Sequence, residues 1–218
     1  MPETAALRWL LLDLDDTLVD TRGACRRAGI AAAQELGLVV PTEREFHAVY
    51  GRRHFPDCVA AWHGPGHFSQ FNRIYLREVR YAPIGDVSGL LRLARRQGLR
   101  TGLITNSSTE EAGRKLRDAA VPVAGLEFIS TPADQPARKP DSVAFSAVME
   151  RHRIDPAEAL YVSDDPADGQ GARGAGMAFR AVLTGIATAA DFRSAGTAGH
   201  DVFGDVHHAV GPLLDGRR

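Results

Sequence analysis

The sequence predicts an α/β protein: a parallel sheet covered by helices on both faces, with an α-helical segment inserted after the first strand. Three observations carry this expectation. Short apolar runs alternate with helical patterns through the second half of the chain. Residues 20–82 show helical periodicity with no convincing strand run. The apolar stretch in RWLLLDLDDTLVD, Arg8 to Asp20, stops abruptly at Asp13, Leu14, Asp15 and Asp16, and the carboxyl ends of parallel strands are where such folds gather their ligands.

Taken in order, the first strand ends at Asp13. RGACRRAGIAAAQELGL reads as one helix. Thr42 with Glu45 forms a capping box for a second, which carries Phe46, Val49 and Tyr50. A third helical pattern covers about Phe68 to Val79, and the alternation resumes at GLLRLARRQG. LRTGLIT is a buried strand, followed by a helix that Ser108 and Glu111 cap in the same way, through about Ala119. LEFIS is a strand, and a helix from about Asp141 to His152 places Phe145, Val148 and Met149 on one face. ALYVS is another strand, a small-residue helix covers Gly169 to Gly176, and FRAVL is the next strand. The tail reads as a last short strand and helix.

Composition excludes several classes of function. A formal net charge of −1 gives no basic excess for nucleic acid. No segment approaches the ~20 apolar residues of a membrane span, and the N-terminus lacks a signal-like pattern. Cys25 and Cys58, without a Cys-x-x-Cys, fit a reduced, cytoplasmic protein. Of the 26 cationic Lys and Arg side chains only two are lysines, Lys115 and Lys139.

Reading only the strand ends and the helix starts beside them gives four clusters. These are Asp13 and Asp15 with Thr17; Thr105 and Asn106; Lys139 before a helix; and Asp164, Asp165 and Asp168. Crowded carboxylates repel one another and resist desolvation. A metal between the acidic clusters, with a lysine offsetting the remainder, resolves the conflict. Two other patterns fail. GQGARG (Gly169 to Gly174) matches a dinucleotide fingerprint, but the three aspartates before it would repel a pyrophosphate, and close helix–sheet packing explains the small residues better. DLDDTLVDTRGA begins like a calcium loop but has Leu18 and Ala24 where Gly and Glu are required.

The four clusters, as DLDDTL, LITN, KPDSVAF and VSDDPADGQGARGAGM, resemble the motifs of the haloacid dehalogenase-like hydrolase superfamily, most of whose members are magnesium-dependent phosphatases. The resemblance implies a Rossmann-like three-layer core, residues 1–19 and 83–218, with a helical cap at 20–82 like that of phosphoglycolate-phosphatase-like members. It implies Asp13 as the nucleophile that forms an aspartyl-phosphate and Asp15 as general acid and base. It implies Mg2+ held by the Asp13 and Asp164 carboxylates and the Asp15 carbonyl. Thr105 and the Asn106 backbone would hold phosphoryl oxygens, Lys139 would neutralise charge, and Thr17, Asp165 and Asp168 would support the ligands. In the cap loop near Gly51, Arg52 and Arg53, with His54 beside them, are candidates for reading an anionic substrate; Arg73, Tyr75 and Arg77 are weaker ones.

Asp15 favours a phosphatase over a dehalogenase, because a leaving alkoxide needs a proton and a halide does not. The expected substrate is a small phosphorylated metabolite. A phosphotransferase such as a phosphomutase, or a non-catalytic protein on the same fold, is the alternative. The chain departs from the usual pattern where Ser163 stands at a common glycine, where Ser107 and Ser108 follow Asn106 although glycine is frequent there, and where Gly169 replaces an apolar residue.

Overall fold

The computed structural model describes residues 7–51 and 55–215. The chain divides into two compact units, Met1–Asp20 with Pro83–Arg218, and Thr21–Ala82. No described helix is long and apolar enough to cross a membrane.

The larger unit is built on six parallel strands in the order β3-β2-β1-β4-β5-β6. They are β1 (Trp9–Leu12), β2 (Arg100–Ile104), β3 (Phe128–Ser130), β4 (Ala159–Ser163), β5 (Ala178–Val182) and β6 (Val202–Phe203). The central run WLLL is buried along its whole length, as a strand covered on both faces must be. In register, Leu12 stands beside Leu103 of β2 on one side and Val162 of β4 on the other. The strand order reverses at β1, and the residues that follow β1, β2 and β4 therefore share one crevice.

The second unit is helical. It holds α1 (Thr21–Glu35), α2 (Glu43–Val49), α3 (Phe55–His63) and α4 (Phe68–Glu78). Ala24, Ala28 and Ala32 form a small-residue stripe on α1, and they share a core with Phe71, Ile74 and Tyr75 of α4. Spacing of four puts the alanines on one helix face, and small side chains there leave room for large ones opposite. The Thr42–Glu45 capping box of α2 is formed. The sequence pattern missed α3, whose nine residues are flanked by the breakers of GRRHFP and GPGH. Its burial of Cys58 and Val59 is a packing effect that local sequence does not reveal.

The larger unit adds α5 (Val87–Arg96), α6 (Thr109–Asp118), α7 (Ser142–His152), α8 (Pro166–Gly174), α9 (Ala189–Ser194) and α10 (Val206–Asp215). The Ser108–Glu111 capping box starts α6 as its sequence predicts. The glycines of α8 serve packing. A Cβ on Gly169 would lie 2.6 Å from the Phe179 ring, and one on Gly171 would lie 2.1 Å from the Pro140 carbonyl oxygen. The second clash is with backbone, which cannot swing aside.

Replacing a helical glycine by alanine ordinarily stabilises by about 1 kcal/mol. At Gly171 the contact with Pro140 reverses the sign, and Gly171→Ala should destabilise by about 1–3 kcal/mol. Gly113→Ala is the control, since its new Cβ meets only the end of the Arg117 side chain at 3.3 Å and should not destabilise. Denaturant unfolding midpoints of the two variants check both signs.

Candidate active site

Asp13 follows directly on β1, and its backbone N–H donates to the Val162 carbonyl at 3.0 Å, which extends the sheet ladder by one residue. Lys139 Nζ donates to Asp13 Oδ1 at 2.7 Å, to Asp168 Oδ2 at 2.6 Å and to the Tyr161 hydroxyl at 2.7 Å. Its side chain is only 3% exposed. Burial opposes the ammonium charge, but Asp13 and Asp168 outweigh it and hold Lys139 above its ordinary value. Asp13 is pushed up to about 7, first by burial, with repulsion from Asp168 and Asp15 adding to it and Lys139 opposing.

Asn106 acts through its side chain as well as its place in the chain. Its amide nitrogen donates to the Lys139 carbonyl at 2.9 Å, and its Oδ1 accepts the Lys139 N–H at 3.1 Å. This two-bond clasp fixes the backbone that carries the ammonium. Thr105 is fully buried, and its hydroxyl oxygen accepts the Ser107 N–H at 3.0 Å. That contact shapes the turn after β2.

Asp164 follows β4. Its backbone N–H donates to the Thr17 hydroxyl at 3.1 Å. Its carboxyl is held well above the ordinary range by burial and by the neighbouring charges of Asp13 and Asp16. Among the described residues no ion pair reaches Asp164. Asp165 caps α8 by accepting the Ala167 N–H at 2.8 Å. Asp168, one turn into α8, is directed at the lysine and also accepts from Ser163 Oγ at 3.0 Å and from the Tyr161 hydroxyl at 3.1 Å.

Asp15 belongs to a second charge pair. Lys115 Nζ, from α6, donates to Asp15 Oδ1 at 2.5 Å and to Ser107 Oγ at 2.8 Å, and Ser107 Oγ donates to Asp15 Oδ2 at 2.7 Å. Both lysines of the chain thus meet the acidic crevice. Sequence reasoning used the rarity of lysine for Lys139 and passed over the same signal at Lys115. It also missed Tyr161, which looks in sequence like any buried strand aromatic.

Arg52, Arg53 and His54 lie outside the described residues. Tyr75 donates its hydroxyl to Cys25 Sγ at 2.9 Å inside the helical unit, and Arg77 pairs with Glu35 and Glu78. Those two side chains are committed to the unit's own packing and surface.

Two buried ammonium groups face four carboxylates, Asp13, Asp15, Asp164 and Asp168. Among the described residues no three His, Cys, Asp or Glu side chains form a ligand group, so a cation here depends on two carboxylates and backbone oxygen. Asp13 and Asp164 suit a hard divalent ion: burial raises both, the charge of Asp13 raises Asp164 further, and among the described residues no ion pair reaches Asp164. Chemically, the crevice offers one desolvated carboxylate beside an ammonium and a second carboxylate held close by.

A family model described as haloacid dehalogenase-like hydrolase matches residues 10–182, whereas no curated sequence matches significantly. Among solved structures, a hydrolase of this family from Deinococcus radiodurans, with bound phosphate and sodium, superposes with a TM-score of 0.80 at 19% identity, over 98% of this chain and 97% of that one. A candidate β-phosphoglucomutase from Thermotoga maritima gives 0.80 at 18% identity, over 96% and 100%. A predicted phosphoglycolate phosphatase from Haemophilus somnus gives 0.75 at 18%, over 96% and 98%. At these identities the structures establish the shared fold, and the family match over residues 10–182 establishes the rest: the chain belongs to the haloacid dehalogenase-like hydrolases.

Proposed function

We propose that this protein is a magnesium-dependent phosphatase that hydrolyses a small phosphomonoester through an aspartyl-phosphate on Asp13. The observation that carries this reading is Lys139, which bridges Asp13 and Asp168 at 2.7 and 2.6 Å in a buried crevice at the sheet's switch point. A carboxylate beside a fixed ammonium is a nucleophile placed where phosphoryl charge can be neutralised.

In the first step an Asp13 oxygen bonds to phosphorus as the ester P–O bond breaks, and a protonated Asp15 gives its proton to the leaving oxygen. In the second, Asp15 takes a proton from water, the water oxygen bonds to phosphorus, and the Asp13–phosphorus bond breaks to release inorganic phosphate. Lys139 faces the charge that accumulates on Asp13 and the phosphoryl group. Thr105 and the Asn106 backbone lie at the turn proposed to hold phosphoryl oxygens. The Asp13 and Asp164 carboxylates and the Asp15 carbonyl would hold Mg2+, which when bound would supply charge neutralisation and orientation of the phosphoryl group. A phosphotransferase would use the same Asp13 but hand the phosphoryl group to a sugar hydroxyl.

Phosphate release from sugar phosphates, nucleotides, phosphoglycolate and an aryl phosphate, measured with and without magnesium, tests this reading. Release should require magnesium and no phosphorylated acceptor. Asp13→Asn should lower kcat by on the order of 10⁴ or more, the scale seen when a covalent nucleophile is lost, without unfolding the protein. Undiminished turnover in that variant overturns the mechanism.

Stability should report the metal site independently. In the cation-free folded protein Asp13 keeps its proton up to about 7, and Asp164 is raised too, whereas an ordinary carboxylate value is 3.8. The unfolded chain therefore binds fewer protons across this window. The contribution of these two groups to stability falls as pH rises from about 4 to about 7. Magnesium needs the ionised carboxylates, so the gain in unfolding midpoint on adding it should be larger at about pH 8 than at about pH 5. An equal gain at both values counts against Asp13 and Asp164 as ligands.

A further inference from the structure

The geometry points to Lys115 as the positioning residue for the general acid and base, acting with Ser107 to fix the Asp15 carboxylate; the inference rests on the phosphatase reading above. Three hydrogen bonds close a ring. Lys115 donates to Asp15 Oδ1 and to Ser107 Oγ, and Ser107 donates to Asp15 Oδ2. Each carboxylate oxygen is thus held by at least one bond from this ring.

Such an anchor answers a need specific to Asp15. Its side chain is 30% exposed, against 9% for Asp13, and it stands in the turn beyond β1, where burial alone does not select one rotamer. Proton transfer is sensitive to that choice, because misplacement by about 1 Å can cost 10²-fold in rate. Lys115 is itself costly to place. It lies on the buried face of α6 with Ala112 and Leu116, and desolvating an ammonium is unfavourable without a compensating partner. Elsewhere this chain places arginine where a cation is needed, except at Lys139. A compact ammonium can meet one carboxylate oxygen and one hydroxyl at once, whereas a planar guanidinium fork requires a wider site. Ser107 fits the same account, because its hydroxyl relays the ammonium to the second carboxylate oxygen.

A general acid matters most when the leaving oxygen is strongly basic. The test compares kcat/KM for phenyl phosphate and 4-nitrophenyl phosphate in the wild-type protein, Lys115→Met and Ser107→Ala, with magnesium present. Lys115→Met should lower kcat/KM for phenyl phosphate by on the order of 10²-fold, the lower range of general-acid contributions. It should lower the value for 4-nitrophenyl phosphate much less, and the loss should lie in kcat with KM nearly unchanged. Ser107→Ala should move the ratio in the same direction by a smaller factor, and it carries the test if Lys115→Met does not fold by its unfolding midpoint.

Equal losses for the two esters overturn the inference, because a structural defect would not distinguish leaving groups. A raised KM with unchanged kcat also overturns it, assigning Lys115 to phosphoryl binding instead. Failure of the wild-type protein to release phosphate from either ester and from every member of the panel above overturns the phosphatase reading and this inference with it. Release that depends on Asp13, with an unchanged ester ratio in both variants, overturns this inference alone.

Discussion

The ammonium of Lys139 is the group on which the crevice depends. Asp13 and Asp168 both reach it, and all three side chains are less than 10% exposed. Without it two carboxylates would stand desolvated at the end of the central strand. Breaking a buried ion pair by removing one partner typically costs about 3–5 kcal/mol, comparable to much of a domain's net stability. The fold accordingly secures this lysine from several directions. Asn106 clasps its backbone, Tyr161 accepts from its ammonium, and Gly171 lets α8 approach the adjoining Pro140. Much of the sheet's carboxyl edge is arranged around one charge.

Two departures from the family pattern gain meaning in this setting. Ser163 and Ser107 stand where glycine is common, and each contributes a hydroxyl to a different carboxylate. Ser163 bonds Asp168 at 3.0 Å, and Ser107 bonds Asp15 at 2.7 Å. The crevice therefore contains two charge networks, one joining Lys139 to Asp13, Asp168, Tyr161 and Ser163, the other joining Lys115 to Asp15 and Ser107. One holds the residue proposed as nucleophile and the other the residue proposed as proton carrier. Asp164 stands outside both networks, and its charge is the one that a cation would answer.

The sequence by itself determined the strand–helix alternation, the capping boxes of α2 and α6 and the order of the acidic clusters. These are local or periodic properties. A helix face repeats along the chain, a cap needs residues three apart, and a buried strand is an apolar run with punctuation at its end. The same logic makes Asp13, Lys139 and Asp164 legible, because each sits at a recognisable strand end or helix start. The helix Phe55–His63 was not legible, since Pro and Gly flank it and only packing against its neighbours stabilises it.

Tertiary structure alone decided the partners. Lys115 and Asp15 are 100 positions apart, Lys139 and Asp13 126, and Asn106 reaches Lys139 across 33. No periodicity links residues at such separations, and a hydrogen bond's direction depends on the backbone that carries each group. Composition did contain a hint, in that both lysines of an arginine-rich chain were unusual. Which carboxylate each would serve depended on the placement of α6 and of the loop before α7 against the sheet. That placement is set by long-range packing, and a single sequence records it only indirectly.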